Sequence, residues 1–172
     1  MFLFGKKNKK GKREVMDLII EKEGKPLLDG LFWFFLQSEK VEWTEVVQKF
    51  FDLEMPIEVI GYDWQGNCYG IKKGDIKDVL MFEVGTREIL SLSCSLLEFV
   101  EDTYSGKQRA YLAKEFFDEW NEKENQKHKK IEYGKCIGYK IPLFLGGEDK
   151  ISNLEYSDLD VYWSVLTQFI ER

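Results

Sequence analysis

Histidine, the side chain best suited to proton transfer near neutral pH, occurs once in this chain, as His128 within Asn125-Gln126-Lys127-His128-Lys129-Lys130. Lysines on both sides make an exposed loop position the plainer reading. A serine or cysteine nucleophile needs a base beside it, and one histidine so placed builds neither a Ser-His-Asp nor a Cys-His arrangement; no nucleophile elbow accompanies it. Cys68, Cys94 and Cys136 lie far apart with no CxxC pair, and there is no HExxH or EF-hand loop, so neither a metal nor another cofactor is expected. The 31 acidic residues offer many carboxylates. Glycoside cleavage needs only two in the right geometry, so a carboxylate-dependent hydrolase stands as a rival, although abundance makes any pairing uninformative. Gly146-Gly147 after an apolar run invites a phosphate-loop reading. Its spacing fits neither GxxxxGK[ST] nor GxGxxG, and Glu148-Asp149 would repel phosphate, so a tight turn is the better account.

With so little for catalysis, the residues that remain are those suited to binding, and the chain is read as a non-enzyme. Trp64, in Asp63-Trp64-Gln65-Gly66, puts a large aromatic beside a turn; it is either a packing residue or an interface anchor of the kind enriched at binding hot spots. Glu148, Asp149, Glu155, Asp158 and Asp160, against Lys150 alone, concentrate acid in a short segment. The bland reading is a solvated loop and an acidic helix N-terminus; the sharper one is an acidic recognition edge. Six basic residues (Lys6, Lys7, Lys9, Lys10, Lys12 and Arg13) lie in segment 1–13, so the net charge of −6 leaves −12 for the remainder once they are set aside. An acidic body disfavours direct nucleic-acid contact and suits a basic partner. The basic segment 1–13 reads as a flexible solvated tail, with anionic lipid or nucleic acid as its functional alternative.

A chain of 172 residues is long enough for one domain without disulfides, and 44% hydrophobic with 15% aromatic residues implies a packed interior. One domain over 14–172 is expected. Unpaired cysteine spacing points to a reducing compartment, the apolar run 31–36 is far short of the roughly 20 residues that span a bilayer, and the opening MFLF followed by charge inverts a secretory signal. The cytoplasm is the expected location.

Elements follow from periodicity. Val15, Leu18 and Ile19 predict a helix over 14–23, ended by Gly24-Lys25-Pro26. The continuous run Leu31-Phe32-Trp33-Phe34-Phe35-Leu36 predicts a strand buried on both faces, with a helix as the alternative. Trp43, Val46, Val47 and Phe50 predict a second helix, stopped near Met55-Pro56. From Ile57 to Leu92, short apolar runs separated by Gln65-Gly66-Asn67, Lys72-Lys73-Gly74-Asp75 and Gly85-Thr86-Arg87 predict an antiparallel meander. Ser95-Leu96-Leu97-Glu98 has the form of a capping box and predicts a helix ending near Ser105-Gly106. Ala113, Phe116, Phe117 and Trp120 predict another, followed by a solvated excursion over 121–130, and a last helix begins near Ser157-Asp158 with Leu159, Tyr162, Trp163 and Leu166 on one face. The fold class is therefore α+β, an antiparallel sheet of about four to six strands backed by helices.

The stretch Pro142-Leu143-Phe144-Leu145-Gly146-Gly147-Glu148-Asp149, followed by 152–163 ending in Asp160-Val161-Tyr162-Trp163, resembles the C-terminal domain family of type VI secretion immunity proteins. Asp63-Trp64-Gln65-Gly66 resembles that family's earlier motif, so the resemblance spans about 56–172. In this pattern Asp63, Gly66, Gly146, Gly147, Tyr162 and Trp163 are structural motif residues. The chain departs from it at Asn67, where a basic residue is expected, and at Ser164, where histidine often follows Tyr-Trp. The resemblance implies a cytoplasmic antitoxin that blocks a cognate secreted protein toxin by direct contact, the toxin being a DNase in the family's type case. Trp64, Glu148, Asp149, Glu155, Asp158 and Asp160 are then the expected partner contacts. A small-ligand-binding module or a general protein-interaction module is the alternative.

Overall fold

The computed structural model describes residues 4–107, 110–123 and 130–171. His128 and most of the expected surface excursion lie outside the described residues. The apolar run 31–36 explains the architecture. The run forms the edge strand β1 (Phe32–Phe34), which is buried throughout because it has a layer on each side. Alternate side chains of a strand point to opposite faces. Trp33 and Phe35 accordingly enter one core cluster, while Phe32 and Phe34 enter another.

β1 pairs with β2 (Ile57–Asp63), and the meander continues through β3 (Cys68–Lys72), β4 (Leu80–Glu83) and β5 (Glu88–Ser91), every pairing antiparallel, in the order β1-β2-β3-β4-β5. The meander expected between Ile57 and Leu92 is present. On one face lie α1 (Phe4–Glu21) and α3 (Leu96–Tyr104), which deliver Val15, Ile19, Leu96, Phe99 and Val100 to the core beside Phe32, Phe34 and Tyr69. On the other lie α2 (Lys40–Phe51), α4 (Lys114–Lys123) and α5 (Leu159–Ile170), whose Val47, Phe50, Trp120, Leu159, Trp163 and Leu166 join Trp33, Phe35 and Tyr62.

One local outcome differs from the sequence reading, and two others lie where that reading assigned no element. The first helix starts at Phe4 rather than Glu14, so residues 4–13 of the basic segment are helical backbone; lysine and arginine are good helix formers and no proline interrupts them. The apolar stretch after Ile141 is a short 3₁₀ turn over Leu143–Leu145, because Pro142 withholds a donor from any sheet and the turn closes on Gly146 at φ 86°. The strands β6 (Lys135–Tyr139) and β7 (Leu154–Asp158) form a two-stranded sheet of their own, separate from the meander. Elsewhere local signals hold. At α3 the Ser95 hydroxyl accepts from the Glu98 amide at 3.3 Å while the Ser95 amide donates to Glu98 Oε2 at 2.8 Å, completing the capping box.

A buried ion pair ties α2 to the chain that enters β1. Lys40 Nζ donates to Glu23 Oε1 at 2.7 Å, with side-chain exposures of 9% and 12%, and Glu23 Oε2 also accepts from the Gln37 amide at 2.9 Å. Among the described residues no helix is long and apolar enough to cross a membrane.

Candidate partner-binding site

The turn between β2 and β3 is the hub on which the site is mounted. Asp63 is fully buried, yet its carboxylate accepts from the Gln65 and Asn67 amides at 2.9 and 3.0 Å, from Asn67 Nδ2 at 3.1 Å and from the Tyr69 hydroxyl at 2.8 Å. Burial disfavours the charged form and pushes this carboxyl up to about 7, although the four donors pull the other way. Asn67 is buried as well, and its Oδ1 accepts from the Val84 amide at 3.2 Å, which fastens the turn to β4. A lysine or arginine at this position would lose these bonds and bury a charge, which gives the departure at Asn67 a structural reason.

Trp64, expected at the partner surface, is instead wholly buried: its indole packs on Phe117 and Phe116, and Nε1 donates to the Leu112 carbonyl at 2.7 Å. It makes no contact surface, because an aromatic at a turn is drawn inward when α4 covers that turn. Gly66 has φ 84°, and a methyl group there would lie 3.2–3.3 Å from Tyr162, Cys136 and Leu159. Its carbonyl accepts the Trp163 indole N–H at 2.9 Å. The two sequence motifs, far apart in the chain, are therefore one packed joint. Tyr162 completes it: the ring lies over Gly138, where a Cβ would come within 2.4 Å, and the hydroxyl accepts from the Tyr139 amide at 3.1 Å.

Gly146 and Gly147 shape the loop beyond β6. The Gly147 amide donates to the Pro142 carbonyl at 3.0 Å, and a Cβ at Gly147 would fall 1.9 Å from the Ile141 carbonyl oxygen. Asn153 staples this loop by accepting from the Ile141 amide and donating to the carbonyls of Ile141 and Glu148, all at 2.8–3.0 Å. This is the tight turn expected from the sequence.

The expected acidic contacts do not form one patch. Glu148 and Asp149 sit on the stapled loop; Glu148 pairs with Lys150 at 2.8 Å, and Asp149 accepts from the Tyr139 hydroxyl at 2.6 Å. Asp149 also lines a small hollow of about 470 Å³ beside Phe116 and Lys123. Glu155 is exposed on β7 and lines neither this hollow nor the larger groove. Asp158 and Asp160, at the start of α5, line a groove of about 770 Å³ between α2 and α5.

That groove gathers residues the sequence reading did not connect. Phe35, Trp43, Tyr62, Tyr133 and Trp163 supply an aromatic floor, with Trp43 stacked on Phe35 at 4.9 Å and set edge-on to Trp163 at 6.1 Å. Glu39, Glu42, Asp158, Asp160 and Glu171 face Lys49 and Lys135 around it. Both lysines are engaged: Lys49 with Glu171 at 2.5 Å, and Lys135 with Asp158, whose hydrogen bond raises the lysine's affinity for its proton. Tyr133 donates to Glu39 and accepts from the Leu36 amide at 3.0 Å; burial, reinforced by that glutamate, holds its phenol well above the ordinary range. Ser164 also lines the groove, so the second departure from the family pattern falls inside it. The helical period of α2 had marked Trp43 and Val46 as apolar, but nothing in sequence shows that their helix lies beside α5.

No curated protein matches this sequence. In fold the chain is similar to the crystal structure of Atu4351 from Agrobacterium tumefaciens, with a TM-score of 0.59 and 13% identity over 81% of this chain and 67% of that one. That likeness concerns the fold alone. The segment that supplies α4, the β6–β7 hairpin, Asp158, Asp160 and α5 is the informative part: residues 102–170 match the family described as T6SS immunity protein Tdi1, C-terminal, and the match supports an immunity role.

Proposed function

We propose that the chain is an antitoxin-type immunity protein that acts in the cytoplasm of the producing cell, binding a cognate secreted toxin directly and blocking it without catalysis. The observation that carries this reading is the family match over 102–170, which includes the acids Asp158 and Asp160. The charge balance supports a basic toxin, and a nuclease fits, because a surface that binds nucleic-acid phosphates is itself basic and is complemented by carboxylates. Masking such a face needs complementarity and exclusion of substrate rather than turnover.

The test is rescue. Expressed alone, the product of the toxin gene beside this one should arrest growth; with this chain it should not, and the two should co-purify. Absence of rescue against every adjacent product would sink the proposal.

A further inference from the structure

The exposed face of α5 carries a feature that the acidic rim does not explain. Val161, Val165 and Phe169 are 50%, 44% and 44% exposed. Their i, i+4, i+8 spacing sets them in one stripe about 12 Å long, since each residue of a helix rises about 1.5 Å. The helix is already anchored without them, because Leu159, Tyr162, Trp163 and Leu166 are its buried residues. At about 100° per residue, the positions beside the stripe are those of Asp160, Ser164 and Gln168, which line the α2–α5 groove. Apolar stripe and acidic groove therefore run side by side along one helix.

Resting on the functional reading above, we propose that α5 is the docking rail for an amphipathic helix of the toxin, whose apolar face covers Val161, Val165 and Phe169 while its arginine or lysine side chains enter the groove. A helix is the occupant because a straight stripe at i, i+4, i+8 spacing is complementary to the same spacing on a partner. The cation is required by charge. Five carboxylates against two lysines leave the groove lining at −3, and both lysines are neutralised by carboxylates already in place. A second copy of this acidic chain would bring like charge to that lining. Arginine is favoured over lysine, because its planar head can stack on the indole or phenol rings of the floor while bonding the carboxylates above.

The experiment uses the full chain and the toxin encoded beside it, inactivated by substitution at its own catalytic centre, with affinity read by calorimetry. Val165→Glu, and separately the double reversal Glu42→Lys with Asp160→Lys, should each weaken binding by about 30-fold or more, the scale of a lost hot spot. Glu88→Lys on the exposed edge strand β5 should bind as the parent does. The altered side chains are exposed, and circular dichroism melts confirm that each variant folds. The proposal is overturned if Glu148→Lys with Asp149→Lys abolishes binding while the α5 and groove variants retain it. It is overturned equally if the chain alone sediments as a dimer that Val165→Glu makes monomeric, since a second copy then owns the stripe. Failure of the parent chain to bind the toxin removes the functional reading, and this inference with it.

Discussion

Replacing Gly66 with alanine tests the joint between the β2–β3 turn and α5, and Gly74 supplies its control. Both glycines hold left-handed backbone, at φ 84° and 86°, and at Gly74 nothing lies within 4 Å of where a Cβ would stand. Gly74→Ala therefore isolates the backbone cost, about 1–2 kcal/mol for a residue with a Cβ, less about 0.4–1 kcal/mol regained from a stiffer unfolded chain. Gly66→Ala carries the same two terms and adds crowding. Its methyl would meet Tyr162, Cys136 and Leu159 at 3.2–3.3 Å, all three buried and none free to swing away. Overpacking of this kind costs about 1–3 kcal/mol. For a chain of this size each kcal/mol moves the melting temperature by about 2–4 °C, so Gly66→Ala should melt roughly 2–12 °C below Gly74→Ala. Melts followed by circular dichroism, with urea midpoints followed by tryptophan fluorescence, read the difference. Equal midpoints for the two variants would show that the joint is loose and that the packing argument is wrong.

Two further outcomes follow from buried polar groups. Asp63, raised to about 7 chiefly by burial, is penalised when ionised, so its contribution to stability is full below the ordinary carboxylate range and is lost as pH rises through about 7. Urea midpoints of the parent should therefore fall between pH 5 and pH 8.5 more steeply than those of Asp63→Asn; parallel slopes would place the proton elsewhere. Lys40→Met leaves Glu23 without its cation at 12% exposure and should cost about 3 kcal/mol, whereas the double change Glu23→Gln with Lys40→Met should cost clearly less. A double-mutant cycle from urea titrations decides it, and additive losses would mean that the pair is not coupled.

Local chemistry was legible where it is self-contained. The capping box at Ser95 and the turn glycines announce themselves within a few residues, because their geometry is set by neighbours in sequence, whereas the run at Phe32–Phe34 left strand and helix open because tertiary layers on both faces decide it. Trp64 was ambiguous for a physical reason: a core and a hot spot both call for a large aromatic beside a turn, and only the arrival of Phe116 and Phe117 from α4 decides between them. The acidic segment was legible as charge but not as surface, since the stapled loop turns Glu148 and Asp149 away from the groove that Asp158 and Asp160 line. The groove itself was invisible, because α2 and α5 each show an amphipathic period and neither period names its neighbour. Pairing of β6 with β7 was hidden in the same way, as a long loop separates two short strands.

The bond from the Trp163 indole to the Gly66 carbonyl spans 97 positions of sequence. During synthesis at about 5–20 residues per second, the turn leaves the ribosome roughly 5–20 s before the tryptophan that closes it. In that interval the meander is made but its lid is not, and the apolar face awaiting α5 is open to chaperones or to other nascent chains. Protease sensitivity of ribosome-stalled chains should accordingly drop only once Trp163 has emerged.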